Sequence, residues 1–177
     1  CGTIEDFERL ITRAHELGLK ILIDLVLSHV SEQHAWFESA RQHIGAEWED
    51  CFVWASPAED GGPPTNWLSV FGGPAWTFEP RRGQYYLHNF LTSQPDLNFH
   101  HPQVQEDALS IVKFWLERGV DGFRLDTVNF YFHDQALRDN PRATRQDDQV
   151  VPTENPYSEL DHRFDKNQPQ VNGFLDK

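Results

Sequence analysis

Two acids and a guanidinium stand where a strand is expected to end. In Gly122-Phe123-Arg124-Leu125-Asp126-Thr127, Arg124 and Asp126 are two residues apart. On a β-strand both side chains then point to one face. A guanidinium beside a carboxylate favours its charged form, and an ionised, oriented carboxylate at a strand end is what a glycosidase nucleophile has to be. A second acid, Asp24, interrupts the apolar stretch Asp24-Leu25-Val26-Leu27-Ser28-His29. Plainer roles exist for each residue. Asp126 can cap the segment that follows with Arg124 as its ion-pair partner, Asp24 can hold a structural partner, and His29 can be a satisfied polar side chain.

Something must position these residues, and the flanking sequence says what. Thr3 with Asp6 resembles a capping box, with Asp in place of the usual Glu. Ile4, Phe7, Leu10, Ile11, Ala14 and Leu17 recur at helical spacing, and Gly18 sits where that helix should stop. Residues 19–27 form a nearly continuous apolar run, which predicts a strand covered on both faces, as in parallel sheets. The unit then repeats. Pro102 opens a helix whose apolar stripe is Val104, Ala108, Ile111, Val112 and Trp115, Gly119 closes it, and residues 120–125 make the second strand. Two such units of the same sense imply an α/β fold with a parallel sheet and outer helices. In such folds working residues gather at the C-terminal ends of the strands.

Residues 31–101 differ in character. They hold Trp36, Trp48, Trp54, Trp67 and Trp76, together with the Gly-Pro clusters at 61–64 and 72–75. A short helix over 35–42 and a strand over 84–90 are expected there. The stretch is too long for an ordinary connection, so it predicts an inserted subdomain between barrel-type segments at 1–30 and 102–177. The polar tail from Thr127 onward, with Pro141, Pro152, Pro156 and Pro169, predicts a long loop with one helical turn.

Composition narrows the function classes. The net charge of −13 argues against nucleic acid and against an anionic membrane surface. No apolar run is long enough to span a bilayer. A neutral ligand remains, and 13 Phe, six Trp and four Tyr supply flat faces suited to sugar rings as well as to packing. Cys1 and Cys51 form no metal pattern and are expected to be free thiols, a single disulfide being the alternative. The first residues do not resemble a signal peptide, and the expected location is the cytoplasm, although a leader ahead of Cys1 would not be visible here. Nothing specifies an oligomeric state.

Together the motifs resemble the α-amylase superfamily, glycoside hydrolase family 13. DLVLSH at 24–29 is similar to that family's Asp-x-Val-x-Asn-His signature at the end of the third barrel strand. GFRLD at 122–126 is similar to its Gly-Phe-Arg-x-Asp signature on the fourth strand. QPDLN at 94–98 resembles the motif closing the inserted B domain in the oligo-1,6-glucosidase and α-glucosidase subgroup, as do FGGPAWTF at 71–78 and QYYLHNF at 84–90. The resemblance covers nearly the whole chain. It implies a portion of a (β/α)8 TIM barrel, around strands three and four, with a B domain between them. It makes Asp126 the nucleophile, Arg124 its charge partner, Asp24 their support and His29 a ligand of the glucose hydroxyls, with Phe71 and Phe90 on the pocket wall. Simple packing is the other role open to the two Phe.

Ser28 departs from the pattern. The family's Asn at this place helps to hold calcium in the calcium-dependent amylases, and a serine hydroxyl is a poor substitute. No metal and no cofactor are therefore expected here. The family's acid–base Glu belongs to a later strand, and Glu154 falls in the loop after strand four, so the chain is expected to be an excerpt that is inactive alone. The implied activity is a retaining α-glucosidase that releases or transfers α-linked glucose from the non-reducing end of short oligosaccharides. A sucrose- or trehalose-processing relative, a non-catalytic relative used for assembly, and a plain carbohydrate-binding module are the alternatives. Thr127 follows the nucleophile directly. In the α-glucosidases this sequence resembles, Val at this place goes with α-1,6 links, and Thr or smaller residues with α-1,4. A threonine hydroxyl facing the leaving-group oxygen predicts α-1,4 preference, and bonding to nearby backbone is its other role.

Overall fold

A computed structural model describes residues 2–144 and 155–177. The first helix, α1 (Ile4–Glu16), starts at the expected capping box. The Thr3 side chain accepts from the Asp6 amide, and the Asp6 carboxylate accepts from the Thr3 amide. It ends where Gly18 adopts φ 73°, a left-handed conformation that Gly reaches without steric cost. The strand β1 (Leu22–Val26) follows. The second unit repeats this order with α3 (Pro102–Leu116) and β5 (Gly122–Asp126). β1 and β5 pair in parallel, Asp24 opposite Arg124 and Val26 opposite Asp126.

The two units are fastened at the sheet's N-terminal edge. Asp121 accepts from the Ile21 amide at 2.9 Å and from Lys20 Nζ at 2.7 Å, and it lies 2.7 Å from His15 Nε2. The Ile21 amide, followed by Lys20 and His15, holds its carboxyl well below the usual range. Gly119 has φ 91°, and a Cβ there would meet the Ile11 methyl at 3.2 Å, so α1 approaches the end of α3 closely.

Between the units lie α2 (Ala35–Ala40) and three short strands, β2 (Trp54–Ala55), β3 (Trp76–Glu79) and β4 (Gln84–Leu87), in an antiparallel sheet of order β2-β4-β3. The buried Arg82 guanidinium ties this sheet to α2. It donates to the Ala40 and His43 carbonyls at 2.5 and 2.7 Å and to Glu49 at 2.9 Å. It also lies 4.2 Å over the Trp54 ring. A single apolar cluster joins all three stretches of the chain, from Leu25 and Leu27 through Phe37, Phe52 and Tyr86 to Val104, Tyr131 and Phe174. The tail carries α4 (Gln170–Leu175) and short 3-10 turns.

Several expectations are corrected. The strand over 19–27 is shorter, and it is covered on one face only: Leu25 is buried, whereas Leu22 is 66 % and Val26 43 % exposed. No described element packs on the face carrying Asp24 and Arg124. Ile111 is likewise exposed, whereas Val104 and Ala108 of the same stripe are buried. β2 and β3 lie outside the expected elements. Cys51 is free and buried, and Cys1 lies outside the described residues. Among the described residues no helix is long and apolar enough to cross a membrane.

Candidate active site

The parallel register places Arg124 between two carboxylates. Its Nη1 donates to both oxygens of Asp24 at 2.6 and 2.8 Å, and its Nη2 donates to Asp126 Oδ1 at 2.8 Å. The bond to Asp24 and the two negative charges hold the guanidinium above its ordinary range. Arg124 thereby fixes one oxygen of Asp126, and the other, Oδ2, accepts no hydrogen bond from any described residue. A charged carboxylate with one oxygen anchored and one free can act as a nucleophile. Its side chain is 35 % exposed, on the open face of the sheet.

His29 lies three residues beyond the end of β1. The chain from the insertion returns beside it: His29 forms an antiparallel bridge with Asp96, and the Leu97 amide donates to the Ser28 carbonyl at 2.8 Å. The stretches 24–29 and 94–98 thus meet at the site. Burial holds His29 below the usual histidine range, against the pull of the Asp126 charge. Behind the bridge, burial pushes the Asp96 carboxyl well above the usual range, despite bonds from the Asn89 amide and side chain.

An aromatic row leads outward from His29. Phe90 lies 5.3 Å from the imidazole, and Phe71 and Phe130 lie 5.9 and 5.2 Å from Phe90. Phe71 is 66 % exposed, so it presents a free apolar face at the rim. An open cleft of about 520 Å³ runs past Val26, His29, Leu91 and Gln94.

Thr127 sits beside Asp126 as expected, with its backbone at φ 56°. Its hydroxyl donates to the Asp126 carbonyl at 2.7 Å, so in this arrangement the proton faces backbone rather than a leaving group. Glu154 lies outside the described residues. Among the described residues no group of three His, Cys, Asp or Glu side chains is arranged to hold a metal. Three residues near the site were not singled out from sequence: Gln94, Phe130 and Tyr131. Gln94 alone carried a signal, as the first residue of the motif closing the insertion.

Known proteins are similar to this chain along nearly all of its length. The alpha-amylase catalytic-domain profile matches residues 1–177. A probable alpha-glucosidase of Rhizobium meliloti (strain 1021) is 58 % identical over 179 residues, 98 % of this chain and 32 % of that protein. The amino acid transporter heavy chain SLC3A1 of Homo sapiens is 43 % identical over 166 residues, 92 % of this chain and 24 % of that protein. The crystal structure of an alpha-glucosyl transfer enzyme, XgtA, has a TM-score of 0.93 and 56 % identity, covering 98 % of this chain and 33 % of that one. The chain spans a third or less of the length of these relatives, whose solved members are TIM-barrel enzymes. With its catalytic-domain match running from end to end, the chain belongs to the alpha-amylase family, glycoside hydrolase family 13.

Proposed function

We propose that the complete protein is a retaining α-glucosidase that releases glucose from the non-reducing end of short α-linked oligosaccharides or transfers it to another hydroxyl. The observation that carries this is Arg124, held between Asp24 and Asp126 so that one oxygen of Asp126 stays free. That oxygen attacks the anomeric carbon, forming a C1–O bond as the bond to the leaving oxygen breaks. A glutamic acid elsewhere in the complete enzyme protonates the leaving oxygen. Water or an acceptor hydroxyl then takes the glucose from Asp126, and two inversions give net retention. The similarity to a probable alpha-glucosidase supports hydrolysis, and the similarity to an alpha-glucosyl transfer enzyme supports transfer.

The remaining roles follow the same geometry. Asp24 supports the charge pair, His29 binds glucose hydroxyls, and Phe90 and Phe71 wall the pocket up to its rim. Residues 31–101 serve as a B domain between the third and fourth strands of a barrel. The exposed face of β1 and β5 is the barrel interior, which further strands of the complete protein cover. The preferred link is α-1,4, with Thr127 beside the leaving sugar. The chain alone is inactive, because among the described residues neither β1 nor β5 ends in a Glu that could serve as the acid.

The similarity to a transporter heavy chain favours a second reading, assembly without catalysis. An assay of the complete protein separates the two. We expect glucose release from maltose, and loss of at least a thousandfold in kcat for Asp126→Asn, whose amide cannot attack. Wild-type protein without turnover on maltose, isomaltose, sucrose or trehalose would favour assembly.

A further inference from the structure

A chain of hydrogen bonds runs from the returning insertion motif to the backbone of Asp126, and its direction is fixed from both ends. At one end the Leu91 amide donates to Gln94 Oε1 at 3.0 Å. This orients the Gln94 side chain so that its NH2 group, a donor only, is the end facing His29 Nε2, at 3.0 Å. Nε2 must therefore accept, which leaves the ring proton on Nδ1. At the other end the Asp126 carbonyl can only accept, so Thr127 supplies the proton in their 2.7 Å contact. The Thr127 oxygen lies 2.7 Å from Ser28 Oγ and has no second proton to give, so Ser28 donates to it. With its own proton used, Ser28 Oγ must accept from His29 Nδ1 at 2.8 Å. Both ends thus assign His29 the same tautomer. Ser28 is the link that joins them, and it is 1 % exposed, out of reach of bulk water.

We propose that Ser28 is a positioning residue: it locks the proton of His29 on Nδ1, which makes Nε2 a hydrogen-bond acceptor at the cleavage pocket, and it ties that lock to the backbone that carries Asp126. The inference rests on the α-glucosidase reading for its effect on sugar, and on geometry alone for the tautomer. An accepting Nε2 recognises a sugar hydroxyl as a donor, with the Gln94 amide yielding its place. Burial, which holds His29 below its ordinary range, keeps the ring in the single-proton form this arrangement needs. The same chain steadies Thr127 at φ 56°, a conformation that a β-branched residue rarely adopts. The Ser28 hydroxyl is committed to this relay on both sides.

The test uses the complete enzyme labelled with 15N-histidine. The His29 signals are assigned by their absence in His29→Gln. In wild type we expect the proton on Nδ1 and a bare Nε2, and a proton on Nε2 would overturn the proposal without any variant being made. Ser28→Ala leaves the Gln94 amide alone to hold the tautomer, so with sugar in the place of that amide the His29 signals should show a mixed tautomer, and kcat/KM for maltose should fall about tenfold, mainly through KM. Ser28→Thr, which keeps the hydroxyl, should restore the wild-type tautomer. Wild-type kinetics together with a wild-type tautomer in Ser28→Ala would sink the idea. Absence of any glucosidase activity in the unaltered enzyme would count against the proposed function, while the histidine spectrum still decides the role of Ser28.

Discussion

Replacing Thr127 by Val separates its two possible roles, because the side chains have nearly the same shape and both are β-branched at the same positive φ. Backbone strain and packing therefore cancel, and what changes is the hydroxyl. It makes two bonds of 2.7 Å, one donated to the Asp126 carbonyl and one accepted from Ser28. Each contributes about 1 kcal/mol net, and a buried donor left facing a methyl group costs about 1–3 kcal/mol. Ser28 becomes such a donor, so Thr127→Val should destabilise the complete enzyme by about 2 kcal/mol. Selectivity should change less. A hydrogen bond newly made to a leaving-group oxygen would be worth about tenfold. Here the same proton must first leave the Asp126 carbonyl, so the net shift in kcat/KM toward isomaltose over maltose falls to about threefold. Urea melts followed by tryptophan fluorescence give the first quantity, and paired kinetics on the two disaccharides give the second. A stability change below about 0.5 kcal/mol would refute the two-bond account of Thr127. A tenfold or larger shift would show that the hydroxyl reaches the substrate freely.

Two further outcomes follow from the same structure. Chelator treatment of the complete enzyme should not abolish activity through the site beside His29, since Ser28 Oγ is occupied by His29 and Thr127. Loss restored by calcium, with an ion bonded to Ser28, would contradict this. Burial, helped by His100 at 4.8 Å, pushes His133 down to about 3. The unfolded chain then takes up a proton near pH 6.5 that the folded protein refuses, so stability is complete above about pH 6.5 and falls as pH drops toward 3. His133→Gln should flatten that slope in urea midpoints measured at pH 7, 5 and 4. Parallel slopes for the two proteins would show that His133 is not buried neutral.

Much of this was legible in the sequence where local rules act alone. Thr3 with Asp6, Gly18, and Pro102 marked helix ends, because caps and breakers act within a few residues. The i, i+2 spacing of Arg124 and Asp126 placed both on one face, because the strand period is two. The partner of Asp24 was less visible, since it depends on the register of two strands separated by the whole insertion. The coverage of residues 19–27 was misjudged for a related reason. An apolar run records what a strand is suited to pack against, and among the described residues only one face of β1 is covered. β2 and β3 are too short for alternation to announce them, and they form because β4 pairs with both. The Gln94–His29–Ser28–Thr127 relay was hidden because Ser28 read as a departure from a motif, and because Thr127 and Gln94, which complete it at either end, come from distant parts of the chain.

The measurement closest to the central claim is trapping of the covalent intermediate. The complete enzyme is incubated with a fluorinated α-glucoside whose departure from the enzyme is slow, then digested, and the peptides are sequenced by mass. The account predicts one glucosyl adduct on Asp126, formed in step with loss of activity and absent from Asp126→Asn. An adduct on Asp24, on Glu154 or on any other residue, with Asp126 unmodified, would contradict it.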